Sequence, residues 1–180
     1  MTANAQHLEE IIRDYLLDEG ILRKRIDNEN LEFGYQFEFP PFTEGGNKRG
    51  QNMVVYQPKK KDLIIISIAT QISPPHVEAL ESVDGRKIRF FVELKKLLLL
   101  RNLFFRLDID NYRYEISDQM FITDDEPISK NHFFQTVRKV FNIQAYSNLL
   151  LMEFCSGKIQ QEDFENTEKF QSGPGFSLYT

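Results

Sequence analysis

The sequence predicts an α+β domain, a mainly antiparallel sheet of five to six strands with helices packed on it. Three observations lead there. The stretch LEFGYQFEF, residues 31–39, alternates apolar and polar groups with the period of two expected of a half-buried strand. Residues 5–18, 86–101 and 129–157 instead repeat their apolar groups at helical spacing. The elements run helix, four strands, a short and a long helix, two strands and a final helix, with no internal repeat.

Leu8, Ile11, Ile12, Tyr15 and Leu16 give the first helix one apolar face, and Gly20 stands just past its last turn, where a left-handed cap suits glycine. ILRKRI reads as a short strand. In LEFGYQFEF, Leu31, Phe33, Tyr35, Phe37 and Phe39 share a face. Each contributes about 1.5–3 kcal/mol when fully buried, so a one-residue slip is strongly disfavoured. PPFTEGGNKRGQ ends that strand with two prolines and supplies a glycine-rich hairpin loop. MVVYQ is the third strand and PKKKD a polar turn. LIIISIAT, an uninterrupted apolar run, is expected to be the central strand, covered on both faces. In SPPHVEAL, Ser73 is expected to cap a helix whose first turn tolerates Pro74.

From Arg86 to Arg101 the period is 3.6, with Arg86, Arg89, Glu93 and Lys96 on one polar arc. After Asn102 it becomes two. Leu103, Phe105, Leu107 and Ile109 alternate with Phe104, Arg106 and Asp108, and Asp110-Asn111 turns the chain into YRYEI. Ser129 reads as the cap of the last helix, whose buried stripe is predicted to include Phe133, Phe134, Val137, Val140, Phe141, Leu149 and Met152 and to end near Gly157. Residues 1–157 are expected to form one domain. Residues 158–180, polar and broken by Gly-Pro-Gly, are expected to form a flexible tail.

Composition bounds the function classes. A chain of 180 residues with 41% hydrophobic residues, 16 Phe and no Trp supports a phenylalanine-rich core. A net charge of -5 argues against general nucleic-acid binding, and the basic loop residues Lys48, Arg49, Lys59, Lys60 and Lys61 read as solvated turns. Lone Cys155 excludes an internal disulfide, and with no secretory pattern at the first residues the expected location is the cytoplasm.

The most hydrophobic stretch, KIRFFVELKKLLLLRNLFFRLDI, is too charged for a transmembrane helix, since its longest apolar run is Leu97 to Leu100. Its helical part divides into two apolar sets. Phe90, Phe91, Leu94, Leu97 and Leu98 form a broad face expected to pack on the sheet. Ile88, Val92 and Leu99 form a narrower strip flanked by Lys95 and Lys96. That strip is expected to be a seam under the first or last helix; the alternative is an exposed contact for another protein or a second copy of the chain, and these five residues are the candidate partner-binding set.

No residue is singled out as catalytic, cofactor-binding or metal-ligating. His7, His76 and His132 lie far apart, and none shares an obvious site with Cys155. His76 and His132 fall in the first turns of predicted helices, where a neutral or cap-related role is ordinary. Cys155 reads as a small buried side chain. DIDNYRYEISDQ fails as a calcium loop because Arg113 and Gln119 occupy the glycine and glutamate positions, and GGNKRG lacks the ending of a phosphate loop. One cysteine and three scattered histidines make no zinc pattern.

Three stretches, LEFGYQFEFPP, VVYQPKKKDLIIISIATQISPPHVEAL and FFVELKKLLLLRNLFFRL, resemble a family of small archaeal proteins of unknown function, over about residues 8–155. In that family an alternating strand ends at Phe-Pro-Pro and a hydrophobic strand runs into Ser-Pro before a helix. The element order also resembles the type III secretion chaperone-like fold, whose members commonly dimerise and bind extended segments of other proteins. The resemblance implies a protein-binding role by fold analogy and assigns no functional residue. The expected function is a non-enzymatic protein-binding or chaperone-like module; the alternative is an enzyme whose site is assembled only in three dimensions.

Overall fold

A computed structural model describes residues 3–41, 50–123 and 128–156. Residues 42–49 of the glycine-rich loop, including Lys48 and Arg49, and residues 157–180, which hold the predicted tail 158–180, lie outside the described residues. The elements are α1 (Ala3–Asp18), β1 (Leu22–Arg25), β2 (Leu31–Phe39), β3 (Gln51–Pro58), β4 (Leu63–Gln71), α2 (Pro74–Glu81), α3 (Arg86–Leu100), β5 (Phe104–Asp108), β6 (Arg113–Phe121) and α4 (Lys130–Cys155). The order and type of elements are those read from the sequence.

All strand pairs are antiparallel, in the order β1-β2-β3-β4-β6-β5. The first four strands form a meander. The chain then leaves the sheet through α2 and α3, forms β5 at the far edge, and folds back so that β6 fills the place beside β4.

Register defines two faces. Phe33, Tyr35 and Phe37 lie level with Gln57, Val55 and Met53 of β3, Val55 with Ile66 of β4, and Ile68 with Ile116 of β6. This is the helix side. The Tyr35 hydroxyl donates to Glu9 of α1 at 2.9 Å, Phe39 meets Phe141 of α4 edge-on at 5.3 Å between centroids, and Lys139 of α4 reaches Asp118 at 2.9 Å. The opposite face carries Val54, Tyr56, Leu63, Ile65, Ser117 and Gln119, all half-buried, with Phe104 and Phe121 exposed.

β4 is central, as expected, but it is not covered on both faces. Ile64, Ile66 and Ile68 are buried, whereas Leu63 and Ile65 are half-buried beside their lateral neighbours Phe121 and Tyr56. Lateral contact within the open face, not a second helix layer, accounts for the apolar run. In β2, Phe33, Tyr35 and Phe37 are buried, while the terminal Leu31 and Phe39 are half-buried and a bulge separates Leu31 from Phe33.

α1 ends as its sequence predicts. Gly20 has φ +64°, its N-H donates to Leu17, and the Ile21 N-H donates back to Leu16, closing the last turn while Leu16 and Ile21 are both buried. Ser73 differs from expectation. It stands at the N-cap of α2, but its side chain makes no capping bond; the hydroxyl lies 2.6 Å from Nδ1 of His76 instead. Ser129 does cap α4, accepting from the His132 N-H at 3.2 Å.

The stripe of α4 also departs from prediction at Leu149, which is 48% exposed. Phe133, Val137, Val140 and Phe141 are buried, but the line then passes through Gln144 and Ser147 to Leu151 and Cys155. The polar pair is needed because Tyr114 is buried beneath it. The Tyr114 hydroxyl lies 2.8 Å from Ser147 Oγ, and Gln144 Nε2 donates to Tyr114 at 3.3 Å. Hydrophobicity alone assigns the helix and misplaces one turn of its buried face.

Candidate functional site

α3 follows Gly85, whose φ of +73° reverses the chain after α2. Arg86 ties the two helices, donating to the Ala79 carbonyl at 2.9 Å. On the inner side Phe90, Phe91, Leu94 and Leu98 are buried, and Phe90 packs edge-on against Phe91 at 5.1 Å and Phe154 of α4 at 5.8 Å. This broad face meets α4, α2 and β5, so most of its burial comes from other helices and an edge strand.

The outer side of α3 repeats at intervals of four, three and four residues through Ile88, Val92, Lys95 and Leu99, which places them in one row. Ile88, Val92 and Leu99 are 54%, 45% and 61% exposed. The expected seam under the first or last helix is therefore absent among the described residues. α1 packs over β1 and β2, at the opposite end of the sheet, while α4 occupies the inner side of α3.

Charge frames this row unevenly. α3 holds five basic residues against one acidic residue, in a chain whose net charge is -5. Lys96 Nζ pairs with Glu93 at 2.6 Å; Lys87 sits 3.4 Å from Glu81 and 4.2 Å above the Tyr112 ring centroid. Arg89 and Lys95 have no side-chain partner among the described residues. The row is thus apolar but for Lys95, with further cations at its margin.

The remaining candidates separate in space or are turned inward. His76 is buried, and the Cys155 thiol donates weakly to the His76 carbonyl at 3.7 Å rather than addressing the ring. Burial pushes that thiol up to about 11, an effect Arg86 partly opposes, so the nucleophilic thiolate is suppressed. His132 is exposed, and Lys59, Lys60 and Lys61 are exposed in their turn. Among the described residues no group of three or more His, Cys, Asp or Glu is arranged to hold a metal ion, and no helix is long and apolar enough to cross a membrane. An open depression of about 600 Å³ lies between Phe39, Phe134, Lys130 and Arg138, with Glu19 beside Lys130 at 2.9 Å.

Sequence reasoning missed the open sheet face. Phe104 and Phe121 are 55% and 71% exposed there, and burial with the nearby Glu115 carboxylate raises the Tyr56 phenol, an effect Arg106 partly offsets. A signal existed in that Phe104 stands in the polar phase of its strand, among Arg106 and Asp108.

These features define a class: an α+β protein with a six-stranded antiparallel sheet, helices on one side, and an apolar, basic-edged row on its outer helix. The chain belongs to the family of uncharacterized conserved proteins DUF2299, which matches residues 8–151. A crystal structure of an uncharacterized protein from Methanothermobacter thermautotrophicus shares the fold, with a TM-score of 0.70, 24% identity, and coverage of 81% of this chain and 97% of that one. No curated protein matches the sequence.

Proposed function

We propose that the chain is a non-enzymatic protein-binding module that seats an acidic, apolar-bearing segment of another protein on the outer row of α3. The observation that supports this reading is the exposure of Ile88, Val92 and Leu99 on a helix with five basic residues and one acidic residue. Apolar groups supply affinity there, and the cations favour a partner of opposite charge. The likeness of the element order to the type III secretion chaperone-like arrangement supports the same role by analogy of fold.

The exposure sets the scale. Leu99 retains 61% of its surface to bury, so docking it is worth about 1–2 kcal/mol, and Leu99→Ala weakens a partner about five- to thirtyfold. A displayed library of random peptides, selected on the full-length chain, tests the reading. The enriched peptides combine carboxylates with large apolar residues, and their capture falls with added salt and with Leu99→Asp. Peptides held equally by Leu99→Asp defeat the proposal, as does a selection that enriches nothing on the chain and on its Phe164→Ser/Phe170→Ser variant alike.

A further inference from the structure

We infer that the outer row of α3 is the docking site of this chain's own segment 162–170, EDFENTEKF, an assignment that rests on reading the row as a binding surface. Three observations favour this occupant. The first is position: Phe154, in the last turn of α4, packs on Phe90 of α3 at 5.8 Å, so the chain continues from beside the helix it is to cover.

The second is reach. The six steps from Ser156 to Glu162 can span about 20 Å, against the roughly 16–19 Å of half the circumference of a helix about 10–12 Å across. The nine residues of the segment extend to about 30 Å, whereas Ile88 and Leu99 are about 16 Å apart along α3.

The third is charge. The segment carries four acidic residues against one basic residue, opposite in sign to α3, and its Phe164 and Phe170 offer apolar groups to the exposed row. A second copy of α3 is disfavoured by the same count, since apposing two rows sets five cations and one anion against an identical set. Arg89 and Lys95, which lack side-chain partners among the described residues, gain carboxylates to pair with. Docked in this way, the segment competes with any partner for the same row, and tethering gives it a high local concentration.

Zero-length carbodiimide cross-linking of the dilute full-length chain, followed by peptide mapping, tests this. The expected result is linkage of Lys95 or Lys96 to Glu162, Asp163, Glu165 or Glu168 within single chains. Leu99→Asp and, separately, the double variant Phe164→Ser/Phe170→Ser reduce that linkage about tenfold or more. Linkage that is absent, that is unchanged in both variants, or that joins isotopically distinct chains in a mixed sample overturns the assignment. If library peptides still bind α3 while these links are missing, only the intramolecular occupant is lost. If the links form while the library enriches nothing on the full-length chain, the occupant stands; selection on the Phe164→Ser/Phe170→Ser variant, whose row is freed, then decides the reading of α3 as a site for other proteins, which falls if nothing is enriched there either.

Discussion

Removing one hydroxyl under α4 tests how the longest helix is held in register on the sheet. Ser147 is fully buried and Tyr114 is 1% exposed, so neither can turn to water. Ser147 Oγ donates its single proton to the Gln144 carbonyl at 2.7 Å, which leaves the Tyr114 phenol as donor in their shared 2.8 Å bond. Ser147→Ala therefore removes the acceptor of this bond, leaving the buried phenol with Gln144 and Thr70 as its side-chain partners, and costs about 1–2 kcal/mol. Tyr114→Phe removes the donor but leaves Ser147 bonded to Gln144, and costs about 1 kcal/mol. In the double variant neither partner is left unmet, so its loss falls short of the sum of the single losses by about 0.5–2 kcal/mol. Urea unfolding followed by far-ultraviolet circular dichroism at neutral pH measures all three. Additivity to within about 0.3 kcal/mol refutes the coupling and, with it, the account of why Gln144 and Ser147 interrupt the apolar stripe.

Two further outcomes concern ionisable groups in the core. Burial and a hydrogen bond to Glu9 push the Tyr35 phenol up to about 12, above its ordinary 10.0, so its contribution is intact below pH 10 and disappears as pH rises toward 12. Tyr35→Phe therefore loses less stability than the parent chain across that window, and parallel stability profiles refute the assignment. For Cys155, whose thiol is raised by burial from 9.0 to about 11, the native chain reacts with an aromatic disulfide at pH 8 about a hundredfold more slowly than in urea. A native rate within about threefold of the unfolded one contradicts the inward placement.

Period and punctuation made much of the architecture legible. The strict alternation of LEFGYQFEF places Phe33, Tyr35 and Phe37 inside, and Gly20 marks the left-handed close of α1 because a side chain there is strained. What escaped the sequence depends on neighbours distant along the chain. LIIISIAT reads as doubly covered because an isoleucine shielded by Tyr56 beside it is indistinguishable from one shielded by a helix above it. Leu149 and Leu151 are equally apolar, and only the demand of buried Tyr114 for Ser147 turns the latter inward. Spacing marks the candidate row, yet its exposure follows from where α1 and α4 settle, which no local pattern encodes. The position of Ser73 suggests a helix cap, and the side chain of His76 takes its hydroxyl instead.

The placement of β6 between β4 and β5 bears on how the molecule assembles. Tyr56 and Ile65 pair across a turn nine positions long, whereas Leu63 waits for Phe121, fifty-eight positions away. On a flexible-chain scale the longer closure costs about 1.6 kcal/mol more in entropy, before any compensating contact is made. The meander β1 to β4 thus has the means to form early from neighbouring sequence, with the strand that completes its hydrogen bonding arriving late. Until it arrives, β4 presents an unpaired, isoleucine-rich border to the solvent, and that border is where nascent chains are most prone to join one another.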